Sequence, residues 1–246
     1  MVKFSICLVA ALSLASSIQA LPTTLQKRGI RTGVLETCIN KNDVALTFDD
    51  GPFQYTSSLI DFLVKEKVKA TFFVNGNNWW VEGDQKKIAP VIKKAYNAGF
   101  EIASHTYTHP DLAKLSNSAI KKELQNNEKT IYNAIKKYPA VIRPPFGSVN
   151  DRVVKLLNSY GYSIVNWSID TKDTWEGVSV TQQYNYVNQE LSKPRKAGHI
   201  ILAHDVQKKT SQELAPKLVK LIKSKKLRFV TVSECLGVDA YKTKKL

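Results

Sequence analysis

Two adjacent carboxylates, Asp49 and Asp50, close the run Val44-Ala45-Leu46-Thr47-Phe48 and are followed at once by Gly51-Pro52. Like charges a few ångströms apart raise each other's pKa unless a cation neutralises them. The Gly-Pro pair forces a turn, which aims both side chains out of a strand end. Taken alone, the pair reads equally as a helix cap or an Asx-turn. The chain has four histidines, and two of them stand four apart in Ser104-His105-Thr106-Tyr107-Thr108-His109-Pro110. A tightly curled turn would bring His105 and His109 to one ion, although a structural histidine pair is the commoner occurrence. With Asp50 they form a two-histidine, one-carboxylate set. Such a set leaves open positions for water and substrate, as a catalytic metal site requires.

Three further sets follow. Arg143 is the sole charge in the stretch 140–147, so it should meet a carboxylate. Pro144 and Pro145 stiffen the loop after it and turn the amides of Phe146 and Gly147 outward, either as an oxyanion site or as a plain rigid turn. Next come Asp170 and Asp173 in Ser168-Ile169-Asp170-Thr171-Lys172-Asp173-Thr174-Trp175, and then His204 in Ile201-Leu202-Ala203-His204-Asp205. His204 by itself reads equally as a core histidine bonded to backbone. The sets gain weight together, because each lies at the carboxyl end of a predicted strand, where barrel enzymes build their sites.

The elements that must position them alternate. Strands are predicted at 44–50, 69–76, 100–106, 140–147, 162–170, 199–205 and 228–234. Helices are predicted at 56–67, 86–98, 116–137, 150–160, 180–197 and 210–225, the third opening on Ser116 and stopping before Pro139. Strand–helix alternation implies parallel pairing with right-handed crossovers. Both an open doubly wound sheet and a barrel satisfy this. Cys38 precedes the first strand and Cys235 follows the last, and joining them is easiest if those strands are neighbours. The expectation is a single α/β domain, an irregular (β/α) barrel of about seven parallel strands.

The N-terminus differs in kind. Lys3, the apolar run 4–14 and the small-residue end Ile18-Gln19-Ala20 read as a signal peptide over 1–20, with a short buried helix as the alternative. The dibasic pair Lys27-Arg28 offers a second cut, which would make 21–28 a pro-segment and 29–246 the catalytic domain. Cys7 would leave with the leader, so Cys38 and Cys235 remain, an even count that favours a disulfide in an oxidising compartment over two free thiols. No later stretch is apolar enough to span a membrane. The formal charge of +15 falls to +12 for a chain beginning at Gly29. Nucleic acid is not the expected partner, because pairs such as Lys86-Lys87, Lys121-Lys122 and Lys136-Lys137 read as solvated helix faces. The basic tail 242–245 is expected to be disordered. The sequon Asn166-Trp167-Ser168 falls inside a predicted buried strand and is expected to stay unmodified. Trp79 and Trp80 follow the second predicted strand and Tyr107 sits between the two histidines; rings there can stack on the flat face of a ligand, or serve as ordinary core or loop packing.

Thr47-Phe48-Asp49-Asp50-Gly51-Pro52, then His105-Thr106-Tyr107-Thr108-His109-Pro110, Arg143-Pro144-Pro145-Phe146-Gly147 and Leu202-Ala203-His204, resemble in order the motifs of the polysaccharide deacetylases of carbohydrate esterase family four, the NodB-homology fold. The resemblance covers about 36–236 and is most like fungal chitin deacetylases. It implies metal-dependent hydrolysis of N-acetyl groups of chitin or chitooligosaccharides by a secreted, extracellular or wall-associated monomer. It implies Asp49 as general base and Asp50, His105 and His109 as ligands of one divalent ion, Zn²⁺ with Co²⁺ as a substitute. Arg143 would hold Asp49 ionised, the Phe146 N–H would bind the oxyanion, and His204 would be the general acid oriented by Asp173. Leu202 and Trp175 would line the acetyl pocket.

Two departures stand out. Phe146 replaces the family's usual tyrosine, and Thr174 intervenes between Asp173 and Trp175. The second puts the pocket role of Trp175 in question and leaves Asp170 as a rival to Asp173. The motifs are shared with acetylxylan esterases and peptidoglycan N-acetylglucosamine deacetylases. A chitin-binding pseudo-enzyme is the non-catalytic alternative.

Overall fold

A computed structural model describes residue 1 and residues 29–80 and 84–246. The expected leader and pro-segment lie outside the described residues. In chain order the elements are β1 (Val34–Leu35), β2 (Thr37–Cys38), β3 (Asp43–Asp49), α1 (Thr56–Lys65), β4 (Thr71–Val74), α2 (Gln85–Asn97), β5 (Glu101–Ser104) and α3 (Asn117–Ile135). They continue with β6 (Tyr138–Pro139), β7 (Val141–Ile142), α4 (Asp151–Ser159), β8 (Ser163–Val165), β9 (Ile169–Asp170) and α5 (Val180–Ser192). Last come β10 (Gly198–His204), α6 (Ala215–Ser224), β11 (Arg228–Phe229), α7 (Val232–Leu236) and β12 (Tyr241–Lys242).

Ten strands form one sheet in the order β1-β8-β7-β5-β4-β3-β10-β2, with β9 added beside β10 and β11 beside β3. All pairs in it are parallel except β10 with β2. β3 is buried along its whole length, the pattern of a strand covered on both faces. The two ends of the strand order, β1 and β2, are consecutive in the chain, so the segment 34–38 spans the seam between β8 and β10. The sheet is therefore a nearly closed barrel.

Alternation along the strands sorts the core. Val44, Leu46, Phe72, Val74, Ile102 and Ile201 pack with the helices in one cluster. Their neighbours Ala45, Phe73, Ala103, Val141, Val165 and Ile200 converge in another with Val232, Cys235 and Leu236 of α7. α7 thus plugs the amino-terminal end of the barrel. Cys38 and Cys235 are disulfide-bonded across a separation of 197 residues and fasten that plug to β2.

Several boundaries differ from expectation. The strand predicted at 162–170 is two short ones, because the chain leaves β7 after Ile164 and β1 after Val165 and joins β10 at Ile169. The strand predicted at 228–234 gives way after Phe229 to α7, whose capping box pairs Thr231 with Glu234. First and last strands are neighbours, but β11 only flanks the base of β3 and does not close the barrel. The tail is ordered. β12 pairs antiparallel with β6, and Lys242 reaches fully buried Glu128, which also accepts from the Tyr162 hydroxyl and the Leu246 amide. α3 is as expected, with Ser116 accepting from Ala119 N–H and Ile120, Leu124, Ile131 and Ile135 buried.

Candidate active site

The parity that fills the barrel also aims the chemistry. Ala45, Thr47 and Asp49 share one face of β3, and Ile200, Leu202 and His204 share one face of β10. Ala103 and His105 are likewise two apart, as are Val141 and Arg143. On each strand the interior face thus runs from apolar residues to a polar one at the carboxyl end, directly after Ala45, Ala103 and Val141 and after Leu202 on β10. β3 and β10 are adjacent and parallel, with His204 in register with Asp49.

Arg143 is fully buried and its guanidinium donates to Asp49 Oδ1 and to Thr47 Oγ1, each at 2.7 Å. Its planar head lies over the Phe73 ring, 4.1 Å from the centroid. The second Asp49 oxygen faces His105 Nε2 at 3.7 Å. Asp50 Oδ1 lies 3.4 Å from His105 Nε2 and 3.3 Å from His109 Nε2.

The donor set fits a divalent ion. The ligating atoms of Asp50, His105 and His109 all lie within 4.8 Å of one another. Asp50 Oδ1 is buried without a hydrogen-bond partner. His105 Nδ1 sits 2.7 Å from the Arg143 carbonyl. That bond calls for the proton on Nδ1 and leaves the Nε2 lone pair facing Asp50. Burial opposes ionisation of Asp50, but the hydrogen bond and positive charge that His105 offers when protonated outweigh it and hold the carboxyl down at about 2. Burial, reinforced by His105, lowers His109 and keeps its imidazole neutral, the ligand form.

Strain gathers here. Of the eight non-glycine residues with positive φ among the described residues, five lie in the site loops: Asp50, Thr106, His109, Phe146 and Lys172. For β-branched Thr106 this conformation is especially costly. Two side chains hold that loop. Asn75 donates to the carbonyls of His105 and Thr106 at 2.5 and 2.9 Å, and Glu123 of α3 accepts from the amides of Tyr107 and Thr108 at 2.9 and 2.7 Å.

On the opposite wall, His204 Nδ1 lies 2.7 Å from Asp173 Oδ1. The other Asp173 oxygen accepts from the His204 amide at 2.8 Å and from Thr210 Oγ1 at 2.7 Å. Burial works against the imidazolium, but the Asp173 hydrogen bond and charge, with Asp49 and Asp50 adding, raise His204 to about 9. Asp170, the rival partner, instead accepts from the Lys172 amide at 2.7 Å, and burial raises its carboxyl.

Phe146 sits in a tight turn over Pro145–Gly147, its ring against His109 at 4.7 Å between centroids. Leu202 is buried on β10. Trp175 is 56 % exposed with Lys172 Nζ over its ring, so it stands at the surface and not in a closed pocket. Tyr107 covers Gly76 beside Thr130, where any Cβ on residue 76 would collide. Trp79 and Trp80 cluster with Phe53 near the loop that follows Asp50. Asn166 Nδ2 donates to the Gly147 carbonyl, so the sequon's amide is committed inside the fold.

Sequence reasoning passed over Asn75, Glu123, Thr210 and Asp205. Asp205 is fully buried and accepts from Thr56 Oγ1. Burial pushes its carboxyl up to about 7, with Asp50 and Asp49 adding and Thr56 opposing. A polar residue just beyond a buried strand was the available signal for Asn75 and Asp205. Glu123 and Thr210 offered none.

Comparison with known proteins agrees with this geometry. Residues 36–165 match the polysaccharide deacetylase family. A chitin deacetylase of Pestalotiopsis sp is 38 % identical over 236 residues, 94 % of this chain and 76 % of that one. The chitin deacetylase of Colletotrichum lindemuthianum is 36 % identical over 93 % of this chain and 92 % of its own. Its structure superposes with a TM-score of 0.80, covering 86 % of this chain and 96 % of that one. The Bc1960 peptidoglycan N-acetylglucosamine deacetylase gives a TM-score of 0.74 at 32 % identity, with 85 % and 94 % covered. With the family's motifs at the barrel mouth and its match running through four of the site's strands, this chain belongs to the polysaccharide deacetylases.

Proposed function

We propose that this chain hydrolyses the N-acetyl groups of chitin or chitooligosaccharides, consuming water and yielding acetate and the free amine. The observation that carries the reading is the constellation itself. Asp50, His105 and His109 converge on one point, Asp49 stands beside them, and His204 faces them from the adjacent strand. A bound divalent ion, Zn²⁺ by donor set with Co²⁺ as a substitute, supplies Lewis acidity toward the acetamide and water.

The chain's own groups do the rest. Asp49, fixed by Arg143, accepts the proton of the attacking water. The Phe146 N–H donates to the oxyanion as the carbonyl carbon becomes tetrahedral. His204, held protonated by Asp173, delivers its proton to the departing nitrogen. Chitin as the polymer is supported by the likeness to two fungal chitin deacetylases. The apolar run 4–14 and the dibasic pair Lys27-Arg28 support secretion, with maturation at 29. Among the described residues no helix is long and apolar enough to cross a membrane.

Acetate release from N-acetylglucosamine oligomers, acetylated xylan and peptidoglycan, each measured before and after chelation, tests the reading. Release from the chitin oligomers that vanishes with a chelator and returns with Zn²⁺ is expected. Preference for xylan or peptidoglycan would overturn the substrate. No release from any of them would overturn the enzyme in favour of a binding protein.

A further inference from the structure

The turn offering the Phe146 amide is strained at a residue that carries a side chain, with φ 60° and ψ 6°. Such a conformation persists only where the surroundings over-determine it. Part of that constraint reaches the turn from the barrel seam. Asn166 donates from Nδ2 to the Gly147 carbonyl at 3.2 Å. The ring of Trp167 lies so close that a Cβ on Gly147 would stand 3.0 Å from it. The backbone of the same Asn166 has a second duty: its carbonyl accepts from Arg143 Nη2 at 3.0 Å, while Nη1 of that guanidinium donates to Asp49 at 2.7 Å. Its amide is tied to the Leu35 carbonyl at 2.9 Å, which anchors the segment to β1. Asn166 Oδ1 is buried without a donor, so the side chain's bond is the one to the turn.

We propose that Asn166 is a positioning residue that fixes the separation between the Asp49 carboxylate and the Phe146 N–H. It acts on the rate of the chemical step and not on capture of the polymer. The inference rests on the deacetylase reading. Misplacing an oxyanion donor by a fraction of an ångström lowers turnover while leaving ground-state contacts alone. Asparagine suits the place because it is short and has a donor. Aspartate would set an acceptor against the Gly147 carbonyl.

The test uses Asn166→Ala, which removes the side-chain bond and keeps the carbonyl for Arg143, and the near-isosteric Asn166→Asp. Both are prepared with Zn²⁺, and kcat on N-acetylglucosamine oligomers is referred to the folded fraction. In both, kcat should fall about tenfold or more while KM stays within about twofold. Bound zinc should be unchanged, and hydrogen exchange at the Gly147 and Ser148 amides should quicken. Ser168→Ala also destroys the sequon but leaves the Asn166 amide, and should keep the parent kcat. The proposal falls if kcat per folded molecule stays within about twofold of the parent, or if the loss appears in KM alone. It falls equally if neither variant folds, since Asn166 would then be holding the fold. An active parent with unaffected variants sinks this assignment alone, whereas a parent that releases no acetate sinks the deacetylase reading with it.

Discussion

Asp173→Asn isolates the support of the proposed general acid. Asparagine keeps the size of the side chain and one acceptor oxygen, so the bonds to the His204 amide and Thr210 can persist in part. What disappears is the negative charge 2.7 Å from His204 Nδ1. His204 stands at about 9 against an ordinary 6.5. That gap corresponds to about 3 kcal/mol in favour of the imidazolium. Without the carboxylate, burial prevails and the midpoint drops to the ordinary value or lower. At pH 8 the protonated fraction would fall from about nine-tenths to about three-hundredths, a loss of about thirty-fold in any rate that needs the acid form. The sign for stability follows from the same shift. A raised histidine contributes fully below 6.5 and loses its contribution as pH climbs through about 9. The parent should therefore lose stability across that window, and the variant should be flat there. The assay is the pH dependence of kcat/KM for acetate release, paired with urea unfolding at pH 6 and pH 9. A bound cation displaces both proteins in the same direction, so the difference between them is diagnostic. Coincident basic limbs in parent and variant would refute the reasoning.

Other consequences can be checked alongside. Asp49→Asn should reduce turnover at least about a hundredfold with metal content intact; appreciable activity would remove Asp49 as the base. Lys242→Ala should strand Glu128, which is fully buried, and cost about 3–5 kcal/mol in urea unfolding while activity per folded molecule holds. Replacing Cys38 and Cys235 by serine opens a loop spanning 197 residues and should cost up to roughly 5 kcal/mol, read as a lower unfolding midpoint under non-reducing conditions.

The sequence disclosed most where chemistry and periodicity coincide. Asp49, His105, Arg143 and His204 each end or follow an apolar strand, and the two-residue alternation that buries Ala45 or Ile200 carries the next polar residue into the barrel. The Ser116 cap and the Ile120, Leu124, Ile131 and Ile135 stripe made α3 readable for the same reason. What was hidden depends on contacts between distant segments. Nothing local says that 166–168 crosses a seam, because β-prone Val165, Trp167 and Ile169 run through it with no glycine or proline to mark a break. The tail's Lys242 looked like a solvated lysine until Glu128, 114 residues away, supplied its partner. Asn75 and Glu123 escaped because their role is to satisfy strained backbone, and strain is not written in the type of the residue that relieves it.

The pairing of β10 with β3 sets Asp49 and His204 on neighbouring rails. Adjacent strands run about 4.8 Å apart and separate only when the whole ladder opens. The groups proposed to take and return protons thus cannot drift relative to each other while the barrel stands. The rim is under no such constraint, since Trp79, Phe146 and Trp175 all ride on connecting loops. Grafting different loops onto this chassis should change which polymer is gripped, and how it is threaded, without retuning the acid–base couple beneath.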